Sequence, residues 1–148
     1  MKKLAVLVSL VLALFAIPLT AFAEQPASPY AAGTPAVPNW DLTVKASSTL
    51  YPEGDDDVTC VSIVTGAPSV TSITVEQTLE VPGILWFWKT YDNDSEWTKT
   101  VEDNATSVYN YKYDLESGKY RLKSVFTLET ASGKSETITV YSETITIS

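Results

Sequence analysis

Two clusters of acidic residues group the oxygen ligands that a metal ion needs. They occupy residues 53–57 and 92–96, and the second offers side-chain oxygens at alternate positions, as a calcium loop requires. Such a loop also needs a glycine where Trp97 stands and a bidentate glutamate where Asp103 stands. Because Asp and Asn stabilise turns through bonds to the nearby backbone, we interpret both clusters as turns, with calcium binding as the alternative. We predict no metal site and no cofactor.

The side chains of nucleophilic and hydrolytic catalysis do not form a complete set. The chain contains no histidine, which excludes Ser-His-Asp and Cys-His arrangements and the usual zinc sites. Cys60 is the single cysteine and lies in a β-branched run, so we predict a small buried apolar residue rather than a nucleophile. Two carboxylates that hydrolyse a glycoside must flank a cleft, and no spacing here singles out such a pair. We therefore predict that the protein is not an enzyme and has no catalytic residues.

Aromatic and apolar side chains between residues 84 and 91 are the sharper candidates, for binding rather than for catalysis. Strict strand alternation would place Trp86 and Trp88 on one face, and we expect these two indole rings inside the core. A sandwich strand buries one side, so the opposite face would need a cover from residues 24–39, a ligand or a second molecule. The side chains of that face are the predicted ligand-binding residues Leu85, Phe87 and Tyr91.

A second aromatic series consists of Tyr109, Tyr111 and Tyr113, which alternation places on one face of a strand. Planar exposed rings on a sandwich would let the protein stack sugar rings. A carbohydrate-binding or adhesive module that uses these tyrosines with Trp86 and Trp88 is therefore the alternative function. Ordinary core packing with cross-strand aromatic pairs explains the same pattern, and we favour that interpretation.

The elements that must position these side chains are strands. Apolar residues alternate with Thr, Ser, Glu and Lys in the segments 42–47, 73–81 and 120–129. Clusters of Pro, Gly, Asn and Asp punctuate the runs, and no long window shows a helical period. The pattern predicts an all-β, antiparallel β-sandwich of about seven to nine strands.

Two hairpins are the best-specified pairs in this pattern. Residues 70–81 should turn at Pro82-Gly83 and pair with residues 84–91. Residues 119–129 should turn at Ala131-Ser132-Gly133 and pair with residues 135–147.

The first 39 residues differ in composition from the rest. Lys2 and Lys3 precede an apolar run, and Ala21-Phe22-Ala23 fits the signal peptidase pattern, so residues 1–23 are a predicted signal peptide. Residues 24–39 hold four of the eight prolines and predict an extended linker or arm. Residues 40–148 are the predicted β-sandwich domain. We expect secretion in soluble form, without membrane association after cleavage.

The charge of the chain limits its partners. Its formal net charge is −8, and removal of residues 1–23 takes away two lysines and makes it −10. Such a surface repels nucleic acid and anionic membranes, and no basic cluster offsets the repulsion. We therefore expect no nucleic-acid partner.

Three features of the sequence resemble the immunoglobulin fold. Val58-Thr59-Cys60-Val61-Ser62 resembles the second strand of such domains, and Trp86 or Trp88 follows on a strand that would pack against it. Glu116 to Leu122 is similar to the tyrosine-corner segment D/E-x-G-x-Y-x-C, with Leu122 in place of the second cysteine. The resemblance implies an immunoglobulin-like β-sandwich that lacks the inter-sheet disulfide. In it the Tyr120 hydroxyl bonds backbone near Leu115 or Glu116, and Leu122 lies beside Cys60.

The pattern G-x-Y-R-x-K-S from Gly118, with the later strand Glu136-Thr137-x-Thr139-x-Tyr141-Ser142, also resembles a group of uncharacterised small secreted proteins of Gram-positive gut bacteria. This resemblance spans roughly residues 60–142 and implies a secreted β-sandwich with no assigned activity. We predict a secreted, non-enzymatic domain that acts by binding or assembly. Its partner is an unknown protein or a glycan.

Overall fold

The computed structural model describes residues 40–148, and the predicted signal peptide and Pro-rich arm lie outside the described residues. Thr, Val, Ile and aromatic residues dominate the segments between turns, and such side chains favour pleated backbone. One 3-10 turn, Ile84–Trp86, interrupts the strands. The nine strands of residues 40–148 are β1 Thr43–Glu53, β2 Asp57–Gly66, β3 Val70–Pro82, β4 Trp88–Thr90, β5 Glu96–Val101, β6 Ala105–Lys112, β7 Gly118–Thr130, β8 Ser135–Tyr141 and β9 Ile145–Ile147.

These strands form two antiparallel sheets that pack face to face. The first sheet has the order β1-β2-β6. In the second sheet β3 and β7 are central, with β4 and β5 along the outer edge of β3 and β8 and β9 along the outer edge of β7. The arrangement confirms the predicted all-β sandwich. It also confirms the predicted pairing of residues 119–129 with 135–147, which is divided between β8 and β9.

The two ends of the sandwich carry different loops. At the end that we call the tip end, β3 ends at Pro82, β7 begins at Gly118, and the chain turns between β1 and β2. At the opposite end, the base end, the chain enters at residues 41–42 beside the turn 131–134. β3 contains 13 residues, so the two ends lie about 40 Å apart at roughly 3.3 Å per residue.

Alternation along the strands decides which side chains the sandwich buries. On β7, Tyr120, Leu122, Phe126 and Leu128 are all buried, as their spacing predicts. Burial of each such side chain contributes about 1.5–3 kcal/mol. The apolar cluster nearer the tip end contains Leu50, Val58, Cys60, Leu79, Leu115, Tyr120, Leu122 and Ile147. The cluster nearer the base end contains Leu42, Ala46, Val64, Val70, Ile73, Val75, Val108, Phe126, Leu128, Ile138 and Val140.

A layer of polar side chains separates the two apolar clusters. Ser62 and Ser124 meet across the sheets with hydroxyl oxygens 2.6 Å apart, and Ser124 also donates to Ser48 at 2.8 Å. Gln77 Nε2 donates to the Ser62 hydroxyl at 2.6 Å, and Gln77 Oε1 accepts from Asn110 at 2.6 Å. Within residues 40–148 no buried side-chain nitrogen or oxygen lacks a partner. The layer therefore avoids the cost of a lone buried polar group.

The predicted tyrosine corner is present. The buried Tyr120 donates its hydroxyl to the Glu116 carbonyl at 2.7 Å, and burial raises the pKa of Tyr120 to about 12. Leu122 and Cys60 lie in the same apolar cluster, as the resemblance implies. Burial also raises the pKa of the Cys60 thiol to about 12, so this residue stays protonated and packs as a small apolar side chain.

We expect Tyr120→Phe to lower the free energy of unfolding by about 1–2 kcal/mol, because the Glu116 carbonyl would lose a hydrogen-bond donor in a half-buried setting. Urea unfolding measures the change. Tyr113→Phe is the matched control, since the Tyr113 side chain is exposed. An unchanged free energy for Tyr120→Phe would contradict a stabilising role for this hydrogen bond.

A carboxylate fixes the entry of the chain into the base end. Glu136 on β8 accepts the backbone N–H groups of Asp41, Leu42 and Thr43 at 2.6, 3.1 and 2.8 Å and the Thr43 hydroxyl at 2.7 Å. Burial alone would raise the pKa of Glu136, but the hydrogen bonds from Thr43, Asp41 and Leu42 hold it below the usual value. The ionised carboxylate therefore ties the start of β1 to the second sheet.

Glu136→Gln is expected to cost about 1–2 kcal/mol of unfolding free energy, because the amide keeps only one acceptor for four donors. The lowered pKa adds a pH dependence. The stabilisation is present above the ordinary carboxyl pKa of 4.5 and is lost as the pH falls through the lower folded-state value. Denaturant titrations from pH 7 to pH 3 should show a shallower loss for Glu136→Gln than for the wild type, with the exposed Glu129→Gln as control. If all three proteins lose stability in parallel as the pH falls, the ionised Glu136 carboxylate does not tie the start of β1 to the second sheet.

Candidate binding surface

The loop between β3 and β4 consists of Gly83 followed by four large apolar residues. The Gly83 N–H donates to the Phe87 carbonyl at 2.5 Å, and the Phe87 N–H donates to the Ile84 carbonyl at 3.4 Å. A Cβ at position 83 would lie 2.9 Å from the Phe87 carbonyl oxygen, so the close approach requires glycine. Backbone bonds therefore hold the loop where it leaves the sheet.

Leu85 and Trp86 lie in the left-handed backbone region, with φ of 56° and 59°. This conformation costs an L-residue with a large side chain about 1–2 kcal/mol. Two consecutive left-handed residues end the strand alternation, so the predicted strand over residues 84–91 is wrong. Only Trp88–Thr90 pair with the end of β3, and pairing with β3 resumes at β5. The predicted hairpin is correspondingly shorter.

The side chains of this loop face solvent. Ile84, Leu85, Trp86 and Phe87 are 85, 64, 88 and 70 % exposed, and we call these four residues the apolar tip. Leu85 and Phe87 are thus exposed, as predicted for a binding face. The prediction that Trp86 fills the core is wrong, because the left-handed pair takes its side chain out of the alternating pattern. Exposed apolar patches of this kind are typical of interaction sites.

Trp88 belongs to a different surface from the apolar tip. It is half-buried, and the Arg121 guanidinium carbon lies 4.3 Å from the centre of its ring and 4.2 Å from the centre of the Tyr141 ring. Arg121 also pairs with Glu80 at 2.8 Å. The indole therefore packs in a cation–π stack on the outer face of the second sheet, and its predicted place inside the core is wrong.

Tyr91 is half-buried at the edge of the tip-end apolar cluster. Its ring centre lies 5.4 Å from that of Tyr120 in an edge-to-face contact, which is a favourable geometry for two aromatic rings. The predicted grouping of Tyr91 with Leu85 and Phe87 on one exposed face is therefore wrong. Of the three predicted ligand-binding residues, only Leu85 and Phe87 lie together on the apolar tip.

Two open depressions flank the apolar tip. One has a volume of about 400 Å³ and is lined by Pro82, Gly83, Ile84, Phe87 and Lys89. The other, of about 480 Å³, lies between the end of β3 and the start of β7, and its lining includes Val81, Tyr91, Glu116, Lys119 and Tyr120. Both are open to solvent, and they share Pro82 and Lys89 next to the tip.

The tyrosine series lies on the outer face of the first sheet. Tyr109 and Tyr111 on β6 stand opposite Val61 and Thr59 of β2, and both tyrosines and Tyr113 are exposed. The interpretation that these rings pack in the core is therefore wrong. The rings of Tyr111 and Tyr113 are nearly parallel, with an angle of 10° and 6.4 Å between their centres.

The acidic cluster at residues 92–96 forms a turn. The Asp92 carboxylate pairs with the Lys112 ammonium at 2.7 Å and accepts the Ser95 hydroxyl and the Asp94 N–H. Burial would raise the pKa of Asp92, but the bonds from Lys112 and Ser95 and the charge of Lys112 hold it below its usual value. Within residues 40–148 no three acidic or cysteine side chains come together as a metal site requires. The Asp92 carboxylate thus already has a cationic partner within the protein, the Lys112 ammonium.

The fold and its surfaces define an antiparallel β-sandwich with an apolar tip at one end. No protein-family model matches the chain, and no curated protein or solved structure shows significant similarity to it. The part of the chain that the structure describes contains no helix that is long and apolar enough to cross a membrane.

Proposed function

We propose that this protein is a secreted, non-enzymatic binding module whose contact surface is the apolar tip. The observation that carries the proposal is the exposure of Ile84, Leu85, Trp86 and Phe87 as four consecutive large apolar side chains. Soluble domains rarely expose contiguous apolar patches unless a partner covers them. Aromatic anchors that enter a pocket of the partner supply most of the energy of many interfaces.

The backbone of the tip supports the same function. A flexible loop would lose conformational entropy on binding, whereas the hydrogen bonds of Gly83 and Phe87 already hold this loop in place. The left-handed Leu85 and Trp86 are strained, and strain of this kind concentrates at functional sites. The loop is therefore organised for contact before a partner arrives.

The test is the double variant Leu85→Ser/Trp86→Ser, immobilised beside the wild type and exposed to the culture medium and surface extract of the producing cell. Wild type should retain a partner that the double variant binds at least tenfold more weakly, as expected for anchor residues. The free energy of unfolding should change by less than about 0.5 kcal/mol, since both residues are exposed.

Val44→Ser is the matched control for this comparison, because Val44 is an exposed apolar residue near the base end. It should leave retention unchanged. If the double variant retains the same molecules as strongly as the wild type, the apolar tip is not the contact surface.

A carbohydrate-binding module is the second candidate, and the near-parallel rings of Tyr111 and Tyr113 favour it. Exposed aromatic faces can stack on the apolar faces of sugar rings. Soluble glycans should then bind the wild type in titration calorimetry, and Tyr111→Ala should abolish binding while Leu85→Ser keeps it. The reverse dependence would assign glycan binding to the apolar tip.

A further inference from the structure

The end of the sandwich that carries the apolar tip also carries a concentration of carboxylates. The Leu115 N–H donates to the Asp56 carbonyl at 2.8 Å, and the Asp114 N–H donates to the Asp57 carboxylate at 3.1 Å. These bonds place the turn between β1 and β2 beside the turn between β6 and β7. The carboxylates that these two turns bring to the tip end are Glu53, Asp55, Asp56, Asp57, Asp114 and Glu116.

The negative charge of this end is only partly compensated. The three ion pairs of residues 40–148 are Lys112–Asp92, Arg121–Glu80 and Lys134–Asp41, and none includes a carboxylate of the two turns. The other lysines at this end, Lys89 and Lys119, line the flanking depression. Six carboxylates against two unpaired lysines leave four negative charges, most of them exposed.

The apolar tip alone is too small for a stable interface. An aromatic side chain presents about 150–250 Å², so two aromatic and two aliphatic residues at the observed exposures supply roughly 500–600 Å². A stable interface buries about 800 Å² on each partner. The remaining area must come from other surfaces of the tip end, and one of them carries Glu116, in the depression that Pro82 and Val81 also line.

We infer that the apolar tip inserts into an apolar cleft of a partner protein whose rim is lined by lysine or arginine. The inference rests on the proposed function and adds the chemistry of the partner. The cleft accepts Leu85, Trp86 and Phe87, while the basic rim faces the carboxylates of the two turns. Complementary charge around an apolar centre speeds association and excludes wrong partners.

The same charges disfavour the other occupants of this surface. Two copies of the chain that met tip to tip would bring two acidic ends together, and facing like charges cost an interface several kcal/mol. An anionic bilayer would repel the same carboxylates as the tip entered it. A protein cleft with a basic rim interacts favourably with both the apolar side chains and the carboxylates of the tip end.

The test uses a synthetic 18-residue helical peptide of leucine and lysine with one apolar face, and its leucine–glutamate counterpart. The full-length protein should bind the lysine peptide, and Leu85→Ser/Trp86→Ser should abolish binding. The variant Asp55→Asn/Asp56→Asn/Glu116→Gln should bind it about tenfold more weakly, and added salt should weaken only the wild type substantially. None of these three carboxylates accepts a side-chain hydrogen bond or ion pair within residues 40–148, so the fold should persist.

The matched control removes the same charge at the base end, through Glu102→Gln/Asp103→Asn/Glu129→Gln, and should bind like the wild type. If the protein binds the two peptides equally, or if the two triple variants weaken binding equally, the partner does not need a basic rim. The proposal that the apolar tip binds a partner would still stand. If Leu85→Ser/Trp86→Ser binds both peptides as strongly as the wild type does, the result would count against the proposed function itself.

Two further measurements assign the surface to another occupant if the inference fails. Tip-dependent binding to phosphatidylcholine vesicles with a blue shift of tryptophan emission, without peptide binding, would overturn it in favour of a bilayer. A dimer in sedimentation equilibrium that Leu85→Ser/Trp86→Ser dissolves would overturn it in favour of a second copy. A monomer that ignores vesicles and binds the lysine peptide supports it.

Discussion

Leu122→Cys is expected to form a disulfide with Cys60 that makes the oxidised protein about 4 kcal/mol more stable than its own reduced form. The two positions are 62 residues apart in sequence, and closing a loop of that length removes much of the entropy of the unfolded chain. The reduced variant should be about 2 kcal/mol less stable than the wild type, because a buried leucine is shortened.

The polar layer supplies the geometry for this disulfide. β2 and β7 both begin at the tip end, so they run in the same direction on opposite sheets. Ser62 and Ser124 face each other with oxygens 2.6 Å apart. Cys60 and Leu122 each lie two residues earlier on the same inward faces, and both are fully buried, so their Cβ atoms should also face each other.

Loss of both free thiols on air oxidation, together with urea unfolding with and without reductant, measures the effect. Leu128→Cys is the matched control, since Leu128 is equally buried on the same strand but lies in the base-end cluster, away from Cys60. We expect slower and less complete oxidation there. Two persistent thiols in Leu122→Cys under oxidising conditions would show that the Cβ atoms of residues 60 and 122 do not face each other within disulfide range.

Gln77→Ala is expected to lower the free energy of unfolding by about 3–4 kcal/mol. The side chain is almost fully buried, and it bonds the Ser62 hydroxyl and the Asn110 amide. Its removal leaves the Asn110 amide without its partner and takes one of two partners from the Ser62 hydroxyl, which keeps Ser124. The lost bonds cost about 1–3 kcal/mol, and the cavity that opens adds to this. Glu76→Ala, one residue earlier and exposed, should change the free energy by less than about 0.5 kcal/mol.

A double-mutant cycle with Ser62→Ala separates the network from the cavity. If the hydrogen bond is the main term, the two substitutions should be strongly non-additive, with a coupling of about 1 kcal/mol or more. Additive effects would mean that Gln77 stabilises the core by its volume alone.

The strand faces of the second sheet were predictable from sequence, because alternation repeats over long runs of β3 and β7. The tyrosine corner was predictable for a different reason, since one short segment contains both the tyrosine and its acceptor. The wrong prediction of a strand over residues 84–91 also has a local cause. Leu85 and Trp86 adopt a conformation that large residues avoid, and nothing in their types signals it.

The sequence also indicates the polar layer, but a search for alternating apolar residues alone does not detect it. On β3 the apolar inward series runs through Val75 and Leu79 and is interrupted by the polar, buried Gln77. On β7 the polar, buried Ser124 interrupts it in the same way. Polar residues at inward positions in the middle of two long strands indicate a buried network. Which polar residues meet could not be predicted, because the contacts join strands far apart in sequence.

The polar layer allows the two sheets only one favourable alignment. A pattern that repeats every two residues tolerates a slide of two residues, since apolar side chains would still point inward. Such a slide would place Gln77 and the serine hydroxyls against the leucines of the neighbouring cluster, where they would find no partners. The layer thus fixes how the two sheets are aligned during folding. Variants that replace it with apolar residues should populate several misaligned packings even where their total stability is unchanged.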